Sequence, residues 1–123
     1  MKPPVGKSVA QFPVRGWRQD QVLSAAVGLG NQAGFAVESW GPNHVLMTKG
    51  SALLTGKRLV VVMAADAPDG ANVSVQAWLE GIADANVSPH RLITLGPQRE
   101  TWWLASSLVA QLGLDPEAVF RHS

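Results

Sequence analysis

The chain of 123 residues contains no cysteine and no tyrosine. Without cysteine it has no disulfide, no thiolate zinc site and no cysteine nucleophile. No apolar run approaches the roughly 20 residues of a membrane-spanning helix, and the first 17 residues lack the apolar stretch of a signal peptide. We therefore expect a cytoplasmic protein that makes no membrane contact.

Charge is also scarce, since charged residues are 15% of the chain and hydrophobic residues 46%. This composition is typical of a globular protein with a real core, and the length suits one domain. Residues 1–58 hold seven Lys and Arg against two acids, and the remainder holds three against seven. The basic half permits weak nucleic-acid binding, through Lys49, Lys57, Arg58, Arg15 and Arg18 with Trp17 stacking. Nucleic-acid footprints usually cluster many more basic residues, so a nucleic acid is not the expected partner.

The N-terminal residues 1–16 contain three prolines and two glycines and show little periodicity. They predict a flexible or loosely docked segment that precedes a single α+β domain over residues 17–123. Phe12, Val14 and Trp17 predict a short extended piece that anchors this segment.

Two stretches have helical periodicity. Residues 18–33 carry an apolar stripe and end at Gly34, and a second helix opens at Gly96-Pro97 and ends at Gly113. Asp115 followed by proline predicts a short terminal helical turn. Between the helices, Arg91–Leu95 predicts a brief edge strand.

Two hairpins are predicted between these helices. The first joins strands at 35–40 and 44–49, and the second joins Leu59–Met63 to an alternating strand at Val73–Glu80 through a turn at 66–72. Val61 or Val62, together with Val75 and Leu79, should be buried. The expected fold is α+β, a two-layer sandwich in the order helix, four-stranded mostly antiparallel sheet, helix, with both helices on one face.

No pattern of catalytic or metal-binding residues emerges. Gly6-Lys7-Ser8 lacks the preceding glycine and strand of a phosphate loop, and the three histidines have no ligand spacing. No G-x-S-x-G elbow is present, and nothing in the sequence groups a serine with a histidine and an acid. We therefore predict no metal, no cofactor and no catalytic residue, and we favour a protein that is not an enzyme.

Tryptophan is the unusual feature, with five residues and no tyrosine. Strand alternation places Trp40 and Trp78 on the polar sides of their strands, so both should project from the sheet face opposite the helices. Glu38, Gln76 and Glu80 would form a polar rim around them. A bulge in either strand would reverse this placement.

These observations predict a small non-enzymatic binding or interaction domain, homodimeric through its sheet face, with Trp40, Trp78, Glu38 and Gln76 as binding residues. A second copy, another protein or a small hydrophobic ligand would be the partner. Two alternatives remain open. One is a small-molecule-binding protein or enzyme with a pocket between helix and sheet, where Glu38, Glu80 or His44 would act, and the other is the weak nucleic-acid binder.

Overall fold

A computed structural model describes the backbone of residues 8–50, 57–80 and 90–122, and the side chains of 8–50, 57–78 and 101–120. Among these residues no helix is long and apolar enough to cross a membrane. The elements in chain order are β1 (Ser8–Arg15), α1 (Gln19–Gln32), β2 (Ala36–Trp40), β3 (His44–Lys49), β4 (Lys57–Ala67), β5 (Gly70–Glu80), α2 (His90–Gln111), α3 (Pro116–Val119) and β6 (Phe120–His122).

The strands form one six-stranded sheet in the order β2-β3-β4-β5-β1-β6. Every neighbouring pair is antiparallel. The prediction of an α+β fold is confirmed, and the two predicted hairpins are β2–β3 and β4–β5. The turn of the second hairpin is shorter than predicted, because only Pro68 and Asp69 separate β4 from β5.

The predicted element order is wrong at its start, because a strand precedes the first helix. Residues Ser8–Arg15, inside the predicted loosely docked segment, form β1 between β5 and β6. Ala10, Phe12 and Val14 alternate into the core along this strand. The prolines and glycines around them hid the alternation. Pro13 has no backbone N–H to donate. It is tolerated because β6 pairs with residues 8–10 of β1 and does not extend to position 13.

The predicted edge strand at Arg91–Leu95 is also wrong, since those residues belong to α2, which begins at His90 and passes through Gly96-Pro97. Short apolar runs do not distinguish a strand from a helix by periodicity, which explains the error. The sixth strand lies instead at Phe120–His122, after α3. Asp115 caps α3 as predicted, because its Oδ1 accepts a hydrogen bond from Glu117 N at 3.0 Å.

One face of the sheet, called the inner face, packs against α1 and α2. Its strand residues include Met47, Val62 and Val75, all fully buried. The burial of Val62 and Val75 confirms the predicted core of the central hairpin, whereas the side chain of Leu79 lies outside the described residues. The helix α1 and the sheet are in close contact at Gly30, where an added Cβ would overlap Met47 Sδ. The glycine therefore lets α1 approach β3. The helices contribute Val22, Leu23, Leu104 and Leu108 to the same core.

Candidate functional site

The opposite side of the sheet, called the outer face, carries the site. Residues directly opposite one another in neighbouring strands lie on the same face, so the pairing register defines rows across it. One row contains Leu46, Val61, Gln76 and Val9; the next contains His44, Met63, Ser74 and Gln11; a third contains Ala65, Asn72 and Pro13.

The residues of the second and third rows, except His44, line a groove of about 490 Å³ that the β2–β3 turn bounds through Asn43. Its apolar lining residues include Pro13, Met63 and Ala65, which lie in the outer-face rows. Met63 is 44% exposed, which is unusual for a large apolar side chain in the middle of a sheet. Neutral polar side chains surround this surface, and all ten lining residues are uncharged; the polar ones are Gln11, Asn43, Asn72 and Ser74.

The two predicted binding tryptophans lie on opposite faces. The β2–β3 register shifts between Val37 and Ser39, and this bulge places Trp40 opposite Val45 of the inner face. Trp78 lies opposite Leu59 on the outer face. The predicted common surface of the two rings is therefore wrong, for the reason that a bulge reverses strand parity. Trp40 is 55% exposed on the edge strand, and Trp78 is half-buried.

The other two predicted binding residues, Glu38 and Gln76, are on the outer face. Glu38 Oε2 accepts a hydrogen bond from Thr48 Oγ1 at 2.8 Å and lies 3.4 Å from Lys57 Nζ. The Thr48 hydrogen bond, followed by the charge of Lys57, holds the pKa of Glu38 below its ordinary value. Gln76 is half-buried opposite Val61. The side chain of Glu80 lies outside the described residues.

The basic residues considered for nucleic-acid binding divide between the two ends of the sheet. Lys49 lies opposite Arg58, with Lys57 beside them, at the start of β4. Arg15 and Arg18 lie near the end of β4, where Arg18 Nη2 is 3.5 Å from Asp66 Oδ2. Lys49 Nζ donates to Ala33 O at 2.8 Å. The five cations therefore form two separate groups, several of whose members already have partners within the chain.

His44, considered above as a residue of an alternative site, lies at the β2–β3 turn beside the groove. Its Nε2 is 2.9 Å from Ser39 Oγ, and its Nδ1 is 3.4 Å from Asn43 Oδ1. The ring packs closely on Gly41, where an added Cβ would lie 2.6 Å from His44 Cε1. The hairpin thus brings together a hydroxyl, an imidazole and an amide.

Sequence reasoning missed Ser39, Asn43 and the groove residues. The signal for Ser39 was the predicted hairpin itself, which brings residues on either side of its turn together. An unbulged alternation, however, puts Ser39 on the wrong face, and the bulge has no clear signature in the sequence. Among the described residues, no group of three His, Asp or Glu could hold a metal ion.

Comparison with models of protein families and with curated proteins found no match to this chain.

Proposed function

We propose that the protein is a binding domain whose outer-face groove holds a small, uncharged and largely apolar molecule. The observation that supports this proposal is the lining of the groove, in which Met63, Ala65 and Pro13 are surrounded by neutral hydrogen-bonding side chains. Ligand sites typically combine a mostly apolar surface with a few polar groups that fix orientation.

The size and the electrostatics of the groove favour this class of ligand. A volume of about 490 Å³ falls within the range of about 300–1,000 Å³ found for small-molecule sites. A charged ligand would lose hydration there without gaining an opposite charge, because all lining residues are neutral. The amide and hydroxyl side chains of the groove can instead form hydrogen bonds with carbonyl or hydroxyl groups of a ligand. These side chains belong to Gln11, Asn43, Asn72 and Ser74.

Binding of the neutral fluorophore Nile red tests the proposal with two matched alanine substitutions. Ala65→Asp places a carboxylate in the groove, whereas Ala110→Asp places one on the exposed side of α2. We expect Ala65→Asp to weaken binding by about tenfold or more, since burying an unpaired charge is costly, and Ala110→Asp to leave it unchanged. Equal binding by wild type and both variants would refute the groove as the site.

A second candidate function is self-association through the outer face. Leu46, Val61 and Met63 form a continuous apolar stretch across β3 and β4. Glu38 and Lys57 pair within the chain, so they offer little repulsion to a second copy. A symmetric interface must be complementary to itself, and a neutral apolar face meets that condition.

Sedimentation of wild type and of Trp78→Ser tests this second candidate. We expect a concentration-dependent dimer that weakens in the variant, because the Trp78 ring lies on the outer face beside Leu59. A wild-type chain that stays monomeric at high concentration would contradict it. If a dimer forms and Nile red dissociates it, the groove and the interface share residues.

A further inference from the structure

We propose that Ser39 and His44 form a nucleophile and a general base that cleave neutral carboxylic esters, with the acyl chain of the ester lying toward the groove. Only the placement of the acyl chain in this inference rests on the proposed function. The reacting groups belong to the hairpin and not to the groove.

The hydrogen bonds of His44 set the direction of proton transfer. We assign the neutral His44 ring the tautomer with its proton on Nδ1, which then donates across the 3.4 Å contact to Asn43 Oδ1, an atom that only accepts hydrogen bonds. Nε2 then presents a lone pair to Ser39 Oγ, 2.9 Å away, and the hydroxyl donates. This order of hydroxyl, imidazole and orienting group is the arrangement that activates serine nucleophiles.

The local backbone places the three groups on the outer face. The bulge puts Ser39 opposite Leu46, and His44 lies opposite Met63 of the groove. Gly41 leaves the space that the imidazole occupies, because a side chain there would overlap the ring. Ser39 is exposed and His44 is half-buried, so an ester can reach the hydroxyl while the base keeps its position.

The hairpin also supplies a donor for the developing oxyanion. Gly41 N donates to His44 O at 2.9 Å, which directs the Gly41 amide toward β3. Amides alternate in direction along a strand, so Trp40 N–H points away from β3, on the side of β2 where the described sheet ends. It is the amide that follows the nucleophile, a position that stabilises oxyanions in other serine hydrolases.

The reaction proceeds in two steps that balance. Ser39 Oγ bonds to the ester carbonyl carbon as His44 Nε2 accepts the hydroxyl proton, and collapse of the tetrahedral adduct breaks the bond to the leaving alcohol, which receives that proton. Water then attacks the acyl-serine with His44 as base, which releases the carboxylic acid and restores the Ser39 hydroxyl. No oxidant or cofactor is required.

Covalent labelling of the wild-type chain provides the first test. A fluorophosphonate probe should modify one serine, and peptide mass spectrometry should place the label on Ser39. Ser39→Ala should abolish the label, whereas Ser24→Ala, on the exposed side of α1, should retain it. Failure of the wild-type chain to react, or a label on another residue, would overturn the proposal.

Hydrolysis of 4-nitrophenyl acetate provides the second test. Ser39→Ala and His44→Ala should each lower the rate by about 10²-fold or more, the usual contribution of a general base, and Ser24→Ala should not. Free imidazole hydrolyses this ester without protein, so that rate is subtracted; above it, imidazole should restore hydrolysis to His44→Ala but not to Ser39→Ala. If Ser39→Ala keeps full activity, the imidazole itself attacks the ester and the proposal is wrong.

Asn43 is assigned as a positioning residue, and its variant has a separate readout. Asn43→Ala should lower the hydrolysis rate, whereas Asn43→Asp should retain activity because its carboxylate also accepts from Nδ1. Equal losses in both variants would contradict the positioning role.

Acyl chain length separates this inference from the proposed function. Ser39 lies two strand spacings and one row from Met63, about 12 Å, so a long acyl chain reaches toward the groove and an acetyl group does not. We expect 4-nitrophenyl octanoate to have a lower KM than the acetate, and Ala65→Asp to raise the KM for the octanoate. Acetate hydrolysis without any Nile red binding would refute the groove and keep the nucleophile; Nile red binding without hydrolysis would do the reverse.

Discussion

The two faces of the same sheet have similar apolar residues but different surroundings. On β4, Val60, Val62 and Ala64 point to the helices and are buried, whereas Met63 and Ala65, which alternate with them, are exposed. Strand sequences that are apolar on both faces are expected where both faces are covered. The comparison shows that the apolar residues of the inner face are explained by the core, while those of the outer face around the groove are not.

Polar residues differ between the faces in the same way. The inner-face positions of β5 that are described, Ala71, Val73, Val75 and Ala77, are all apolar and buried. The outer-face positions Asn72, Ser74 and Gln76 are polar but uncharged. A face that needed only to stay in water would carry charge at such positions, as surfaces commonly do. The neutral amides and hydroxyls of the outer face are compatible with the neutral ligand or the second copy proposed above.

Matched methionines give the largest expected difference between the faces. Met47 is fully buried on the inner face, and Met63 is 44% exposed on the outer face. We expect Met47→Ala to lower the free energy of unfolding by about 2–5 kcal/mol and Met63→Ala to change it by less than about 1 kcal/mol. Urea denaturation of the three proteins measures both values. Similar losses in the two variants would mean that the outer face is packed as tightly as the core.

Two glycines of α1 give the next largest effect. An added Cβ at Gly30 would meet Met47 Sδ, whereas one at Gly28 would meet nothing within 4 Å. Gly28→Ala should stabilise the protein by up to about 1 kcal/mol through helix propensity. Gly30→Ala should instead destabilise it by about 1–2 kcal/mol, because the buried thioether must shift.

Thermal denaturation of the two glycine variants, measured beside wild type, separates propensity from packing. A Gly30→Ala variant as stable as Gly28→Ala would show that the contact between α1 and the inner face can widen at no cost. The Gly30 variant also complements the Met47 result, since both substitutions alter the contact between α1 and Met47 of β3.

The sequence predicted the fold best where one period dominated. Gly34 was predicted to stop the first helix, and it follows the end of α1 with a φ of 83°. The predicted bounds of β3 are the observed ones. The period of β1 was obscured by Pro13 and by the prolines that precede it. That strand is held by pairing with β5, a residue separation of about 60 positions that no local pattern reveals.

The site was less predictable than the fold because it depends on one extra residue in β2. Regular alternation predicts that Trp40 lies on the same face as Trp78 and that Ser39 lies on the opposite face. The bulge exchanges the faces of Trp40 and Ser39. The groove likewise needs β1 beside β5, since Gln11 and Pro13 form one of its walls. Once the first strand was interpreted as a loosely docked segment, that wall could not be predicted.

The last prediction concerns Glu38 and its interactions on the outer face. Thr48 and Lys57 lower the pKa of Glu38 in the folded protein. A carboxyl group whose folded pKa is depressed stabilises the protein above its unfolded pKa, and the contribution is lost as pH falls through the folded pKa. Glu38→Gln should therefore be slightly less stable than wild type at neutral pH, and the difference should decline toward zero as the solution is acidified below pH 4.5.

A double-mutant cycle with Thr48→Val identifies the cause, because the hydrogen bond from Thr48 is the larger influence on Glu38. Urea denaturation at neutral and acidic pH should show coupling between the two substitutions at neutral pH only. Because Glu38 is exposed, the effect should be the smallest of the three comparisons, and added salt should reduce the share that comes from Lys57. Coupling that is independent of pH would mean that Thr48, whose side chain is buried at 6% exposure, stabilises β2 by packing. It would then not act through the Glu38 carboxylate.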